Sequence, residues 1–139
     1  MTPLVSHTFE EHVGEVRMRV DAPSRAELLA EAGRALAQLS VGSEELPSAN
    51  ESPETVELQA IDPTALLVDW LNELLFRSET QLKIFVEFSF DRLADRELRA
   101  SMRGVRVDEL RTVVKAATLH DLEFEEQPDG IFATLVLDV

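Results

Sequence analysis

The groups in this chain that could do chemistry are carboxylates, three histidines and one oddly placed lysine. The sequence finishes Phe132-Ala133-Thr134-Leu135-Val136-Leu137-Asp138-Val139. Chain ends usually fray and are polar. A tail this apolar and β-branched is expected to pair in a sheet, holding the Asp138 carboxylate and the terminal carboxylate of Val139 in place. Fixed, adjacent oxygens are what a hard cation needs. A second acidic segment, Glu10-Glu11-His12-Val13-Gly14-Glu15-Val16, lies near the other end. If the two segments pair, Glu11, Glu15 and Asp138 converge as metal candidates. The competing reading is that acid at this density is a solvated surface that keeps a small protein soluble.

The other polar candidates are sparse. His12 lies three residues before Glu15, and His120 sits in Thr118-Leu119-His120-Asp121. Either could support the carboxylates, but a lone histidine is more often a surface or satisfied structural residue. His7, close to the start, is given no role. Lys115 stands in Val113-Val114-Lys115-Ala116-Ala117. A cation in an apolar strand is costly unless paired, so a partner carboxylate is expected.

Composition narrows the function classes. The 139 residues read as one domain, residues 1–139, large enough to bury a core without staples. There is no cysteine, which excludes disulfides, zinc-thiolate sites and thiol nucleophiles. No Gly-rich phosphate loop and no nucleophile elbow is present. The start, residues 1–6, lacks the basic flank and apolar core of a signal peptide. No apolar run approaches the ~20 residues of a membrane span. A cytoplasmic location is therefore expected. Thirteen Lys and Arg against 27 Asp and Glu leave a net charge of −14. Direct nucleic-acid binding is not expected, because a phosphate backbone needs cations to displace its counterions. A basic protein partner or a divalent cation suits the charge better.

The elements that must position these groups follow from periodicity. Residues 12–20 alternate as a strand with Val16, Met18 and Val20 inward. Ser24-Arg25-Ala26-Glu27 is a capping box. The helix after it puts Leu28, Leu29, Ala32, Ala35, Leu36 and Leu39 on one face. Residues 41–55 read as an exposed loop, followed by a short strand over 56–60. Asp62 caps a second helix with Pro63 in its first turn, and Leu66, Leu67, Trp70, Leu71, Leu74 and Leu75 form its stripe. Trp70 is expected to be a core anchor. Strands are predicted over 83–90, 97–104, 113–119, 122–125 and 131–139, with turns at 91–96 and Pro128-Asp129-Gly130 and a short turn or helix over 107–112. The order predicts an α+β fold: two amphipathic helices packed on a mixed, largely antiparallel β-sheet.

Four blocks of the chain resemble the archease family, the small acidic proteins that assist the RtcB-type RNA ligase. Glu11-His12-Val13-Gly14-Glu15-Val16-Arg17 is similar to the family's Asp-His-Thr-Ala-Asp-Ile-Gly start. The helix Ala65-Leu66-Leu67-Val68-Asp69-Trp70-Leu71-Asn72-Glu73-Leu74-Leu75 is the second block. Val114-Lys115-Ala116-Ala117-Thr118-Leu119-His120 resembles the family's Val-Lys-Ala-Val-Thr-Tyr-His segment. Leu135-Val136-Leu137-Asp138-Val139 is the fourth. The likeness runs from about Phe9 to Val139, in one order.

The resemblance implies a non-catalytic activator that promotes ligase guanylylation and multiple turnover in tRNA splicing or RNA repair. It implies a divalent metal (calcium, magnesium or manganese) held at Glu15, Asp138 and Val139; the residue reading above adds Glu11, His12, Lys115 and His120 as supporting candidates. The chain departs from the pattern at three points. Val13-Gly14 replaces Thr-Ala, Glu15 replaces the metal Asp, and Arg17 replaces Gly. Residues 15 and 17 share a strand face, so Arg17 would oppose a cation unless its head points elsewhere. Two other readings stand beside this one: an acidic, chaperone-like modulator of another RNA-modifying enzyme, and a metal-dependent hydrolase.

Overall fold

The computed structural model describes residues 5–139. The reading of the chain start as lacking a leader falls mostly on residues 1–4, outside the described residues. The element order is β1 (Ser6–His12), β2 (Glu15–Ala22), α1 (Arg25–Val41), β3 (Glu54–Gln59), α2 (Pro63–Gln81), β4 (Lys83–Leu93), β5 (Glu97–Arg106), β6 (Ala116–Gln127) and β7 (Gly130–Asp138).

The α+β class and the two helices are as expected, but the strands form two sheets rather than one. One sheet has the order β1-β2-β7-β6 and the other β3-β5-β4. Every pairing is antiparallel. Hydrophobic alternation reports which face of a strand is buried, not which strand lies beside it. The division into two sheets was therefore not readable from the pattern.

Both helices start as their caps dictate. The Ser24 hydroxyl accepts from the Glu27 N–H at 3.2 Å, and Asp62 Oδ1 accepts from the Ala65 N–H at 2.8 Å. Helix α1 ends at Gly42 in the left-handed conformation, where glycine carries no Cβ penalty. Its small residues let the second sheet approach. A Cβ at Gly33 would stand 2.6 Å from Phe88 Cζ of β4.

One core runs between the sheets and the helices. Val16, Met18, Val20 and Ala22 of β2 and Ala133, Leu135 and Leu137 of β7 share this core with the buried leucines of both helices, and α1 is the helix that packs on β2 and β7. Trp70 is the anchor that its spacing predicts. It is fully buried, and its Nε1–H donates to the Leu29 carbonyl at 2.9 Å. Burying the ring with its one donor satisfied ties α2 to α1 without a polar penalty.

Three expectations change in detail. Residues 6–12 form a strand of their own, β1, so the segment around Val13-Gly14 is a hairpin turn rather than strand interior. Gly14 takes φ +76° there, which a glycine adopts freely. His7 lies within β1, and its Nδ1 is 2.7 Å from Glu31 of α1. It therefore has a structural role. Finally, Lys115 precedes β6 and is exposed. Solvent covers its charge, and among the described residues it forms no ion pair.

Candidate functional site at the β2–β7 edge

The β1–β2 hairpin meets the end of the last strand. In the β2–β7 ladder Glu15 is the direct Cα partner of Asp138, and the register continues through Val16–Leu137 to Ala22–Ile131. Val16 and Leu137 point into the core, so the pleat turns Glu15 and Asp138 together onto the outer face, where both are exposed. His12 of β1 is the partner of Glu15 on its other side, and Ala116 of β6 is the partner of Asp138. The outermost row across the sheet is thus His12, Glu15, Asp138, Ala116.

The main chain at this row is held from two directions. The Val139 N–H donates to the Gly14 carbonyl at 3.1 Å. The Asp138 carbonyl accepts from the Lys115 N–H at 2.7 Å. Both bonds belong to the single peptide unit that joins Asp138 to Val139. The hairpin turn of β1–β2 grips one side of that peptide and the entry to β6 grips the other.

The remaining candidates divide. Glu11 is the partner of Val16, so it lies on the opposite face of the sheet from Glu15 and Asp138 and does not join them. The reason is period two: one residue along a strand reverses the face. His12 is on the right face, and its Nε2 lies 3.1 Å from Glu10 Oε1. His120 is exposed and lies 3.2 Å from Asp121. Lys115 contributes its backbone N–H rather than its ammonium.

Among the described residues, Arg17 forms its ion pair with Asp121 and none with Glu15 or Asp138. Its guanidinium lies 3.7 Å from Asp121 Oδ2. Asp121 takes φ +54° in an interruption of the β6–β7 ladder between Thr118 and Glu123. The irregularity swings an acid toward the arginine. On the same face Arg19 binds Asp21 through two bonds of 3.0 Å, and its guanidinium stacks 4.2 Å above the Phe132 ring. The Asp21 bond outweighs burial and raises the Arg19 pKa above its usual value.

With the His12 ring engaged by Glu10, the donors left at the outer row are oxygens: Glu15, Asp138 and the main-chain oxygen of Val139. That chemistry fits a hard divalent cation rather than zinc or copper. It is a lean set, since among the described residues no three His, Asp or Glu side chains gather around one point.

Sequence reasoning missed Asn72, Asp121 and the Gly14 carbonyl. The first two lie inside or beside blocks that drew notice for other reasons. The third is a backbone atom that no side-chain pattern reports.

Comparison with known proteins agrees with this fold. The profile of the Archease protein family (MTH1598/TM1083) matches residues 7–139. The protein archease of Methanopyrus kandleri is 34% identical over 138 residues, covering 93% of this chain and 96% of that one. The protein archease of Methanosarcina barkeri is 25% identical over 141 residues, covering 96% and 95%. The solution structure of Methanobacterium thermoautotrophicum protein 1598 superimposes with a TM-score of 0.74 at 26% identity, covering 96% of this chain and 98% of that one. A crystal structure from Thermotoga maritima, of an archease described as a possible chaperone, shares the fold with a TM-score of 0.67 at 22% identity and 94% coverage of each chain. This chain belongs to the archease family. No helix among the described residues is long and apolar enough to cross a membrane.

Proposed function

We propose that this chain is a non-catalytic activator of an RtcB-type RNA ligase, promoting transfer of GMP to the ligase's active-site histidine and so multiple turnover in tRNA splicing or RNA repair. Membership of the archease family over residues 7–139 carries the reading. The pairing of Glu15 with Asp138 supports it on this chain's own residues.

In this reading Glu15, Asp138 and the Val139 main-chain oxygen would hold a divalent cation. Bound there, it would supply positive charge for the phosphate oxygens of a nucleotide. The chain's residues do the remainder. The β2–β7 ladder places the two carboxylates together, the Gly14 and Lys115 backbone bonds orient the Asp138–Val139 peptide, and Asp121 pairs with the Arg17 cation. A net charge of −14 favours a basic ligase surface and disfavours RNA itself.

The test is a guanylylation and ligation assay with the cognate ligase held limiting. The expected result is many turnovers with this protein, few without it, and no GTP consumption by this protein alone. Unchanged turnover at every ratio of the two proteins would overturn the reading.

A second reading, an acidic chaperone-like modulator, is favoured by the description of the Thermotoga maritima relative as a possible chaperone. Its client would be another RNA-modifying enzyme, so it predicts no gain in turnovers per soluble ligase. Scoring turnover against soluble ligase separates the two.

A further inference from the structure

Asn72 sits on α2 between the core leucines, is half-buried, and belongs neither to the core cluster nor to the ligand set. Its amide makes both bonds that a neighbouring strand would make to one residue of β6. Oδ1 accepts from the Ala117 N–H at 2.8 Å, and Nδ2 donates to the Ala117 carbonyl at 3.1 Å. β6 is the outermost strand of its sheet, so no ladder serves these two groups. A buried or half-buried backbone group without a partner is costly. The side-chain amide is a peptide in miniature, with a donor and an acceptor at matching spacing.

The consequence reaches the carboxylate row. β6 pairs with β7 in two separate stretches, because the ladder is broken between Thr118 and Glu123. The stretch beside the site has three rungs only: Ala116–Asp138, Ala117–Leu137 and Thr118–Val136. Immediately before it, the Lys115 N–H holds the Asp138 carbonyl. A three-rung edge strand beyond a break has little to keep it in place from one side alone. Asn72 grips its middle residue from the other side.

We propose that Asn72 is a positioning residue: standing in for a missing strand beside Ala117, it fixes residues 115–118 and through them the Asp138–Val139 peptide that presents the proposed cation site. The link to cation binding and ligase activation rests on the function proposed above. The positional part stands on the hydrogen bonds alone.

Amide hydrogen exchange of the full chain separates the two parts. Wild type would be compared with Asn72→Leu, which removes both bonds, and with Asn72→Asp, which keeps the acceptor and loses the donor. Leu74→Ala serves as a control that loosens α2 packing without touching Ala117. In Asn72→Leu the Lys115 and Val139 amides should exchange about tenfold faster relative to the central β2 amides. Asn72→Asp should move them in the same direction by less, and it carries the test if Asn72→Leu does not fold. Leu74→Ala should leave the ratio unchanged. Calcium affinity by calorimetry should fall roughly tenfold or more in Asn72→Leu, as for the loss of a group that orients a ligand. Exchange of Lys115 and Val139 in step with β2 would overturn the positioning role. Loosened amides with unchanged calcium affinity would overturn its link to the site. If wild type neither binds calcium nor stimulates the ligase, the proposed function falls, and the exchange ratio still decides whether Asn72 positions the peptide.

Discussion

Glu15 and Asp138, 123 positions apart in the chain, are direct partners across β2 and β7 and share the outer face of the sheet. Like charges directly opposite one another in an antiparallel pair are destabilising, by an amount of the order of the ~0.2–1 kcal/mol assigned to such pairs. A cation between them would reverse that sign. The pair is therefore a poor device for stability and a good one for capturing positive charge.

Asp138→Asn should relieve this repulsion while removing a charged ligand. The expected outcome is a change in unfolding free energy within about ±0.5 kcal/mol, together with loss of ligase stimulation. Urea melts and the turnover assay on the same preparation check both. Full stimulation by the variant would remove Asp138 from the site.

Arg17 supplies the opposite test. Its guanidinium lies 3.7 Å from Asp121, yet Arg17 stands only two residues along β2 from Glu15, on the same face. Arg17→Gln should tighten calcium binding by roughly two- to fivefold at low salt, with the gain shrinking as the Debye length falls. Calorimetric titrations at two ionic strengths measure this. Weaker binding in the variant would mean that Arg17 supports the site rather than opposing it.

Glu54 carries a pH dependence. Burial raises its pKa, but bonds from Gln81 at 3.0 Å and Lys83 at 3.0 Å outweigh burial and leave it below the usual carboxylate value. A carboxylate with a depressed folded-state pKa contributes stability that is present above its unfolded pKa. That contribution is lost as pH falls through the folded value. The stability gap between wild type and Glu54→Gln should therefore be largest near neutrality and shrink through the acid range below pH ~4. Thermal melts across that range test it. A gap that stays constant or widens on acidification would exclude the ionised Glu54–Lys83 pair as its source.

Gly104 is a steric prediction. A Cβ there would collide with the Ile84 carbonyl oxygen of β4 and crowd the Lys83 stem at 3.1 Å. Backbone cannot step aside as a side-chain tip can. Gly104→Ala should cost about 3 kcal/mol by strand displacement, read as an earlier urea midpoint. A midpoint at the wild-type value would show that β4 and β5 can separate locally at no cost.

The sequence by itself determined what local chemistry controls. Ser24 and Asp62 announced the two helix starts through side-chain oxygens that reach only three residues. The leucine stripe around Trp70 determined which face of α2 is buried. The alternation of Val16, Met18 and Val20 determined that Glu15 and Arg17 face outward, and the apolar run to Leu137 that the tail pairs in a sheet. The archease blocks added the expectation that Glu15 and Asp138 meet. The tertiary structure alone decided matters that depend on which strands become neighbours. It divided the strands into two sheets and set Glu11 on the far face from Glu15. It broke the β6 ladder so that Asp121 reaches Arg17, exposed Lys115 while using its N–H, and laid Asn72 against the edge of Ala117. Side-chain period reports a face and a cap reports an end. Register, edges and backbone partners are set by the packing of the whole chain, and no local pattern carries them.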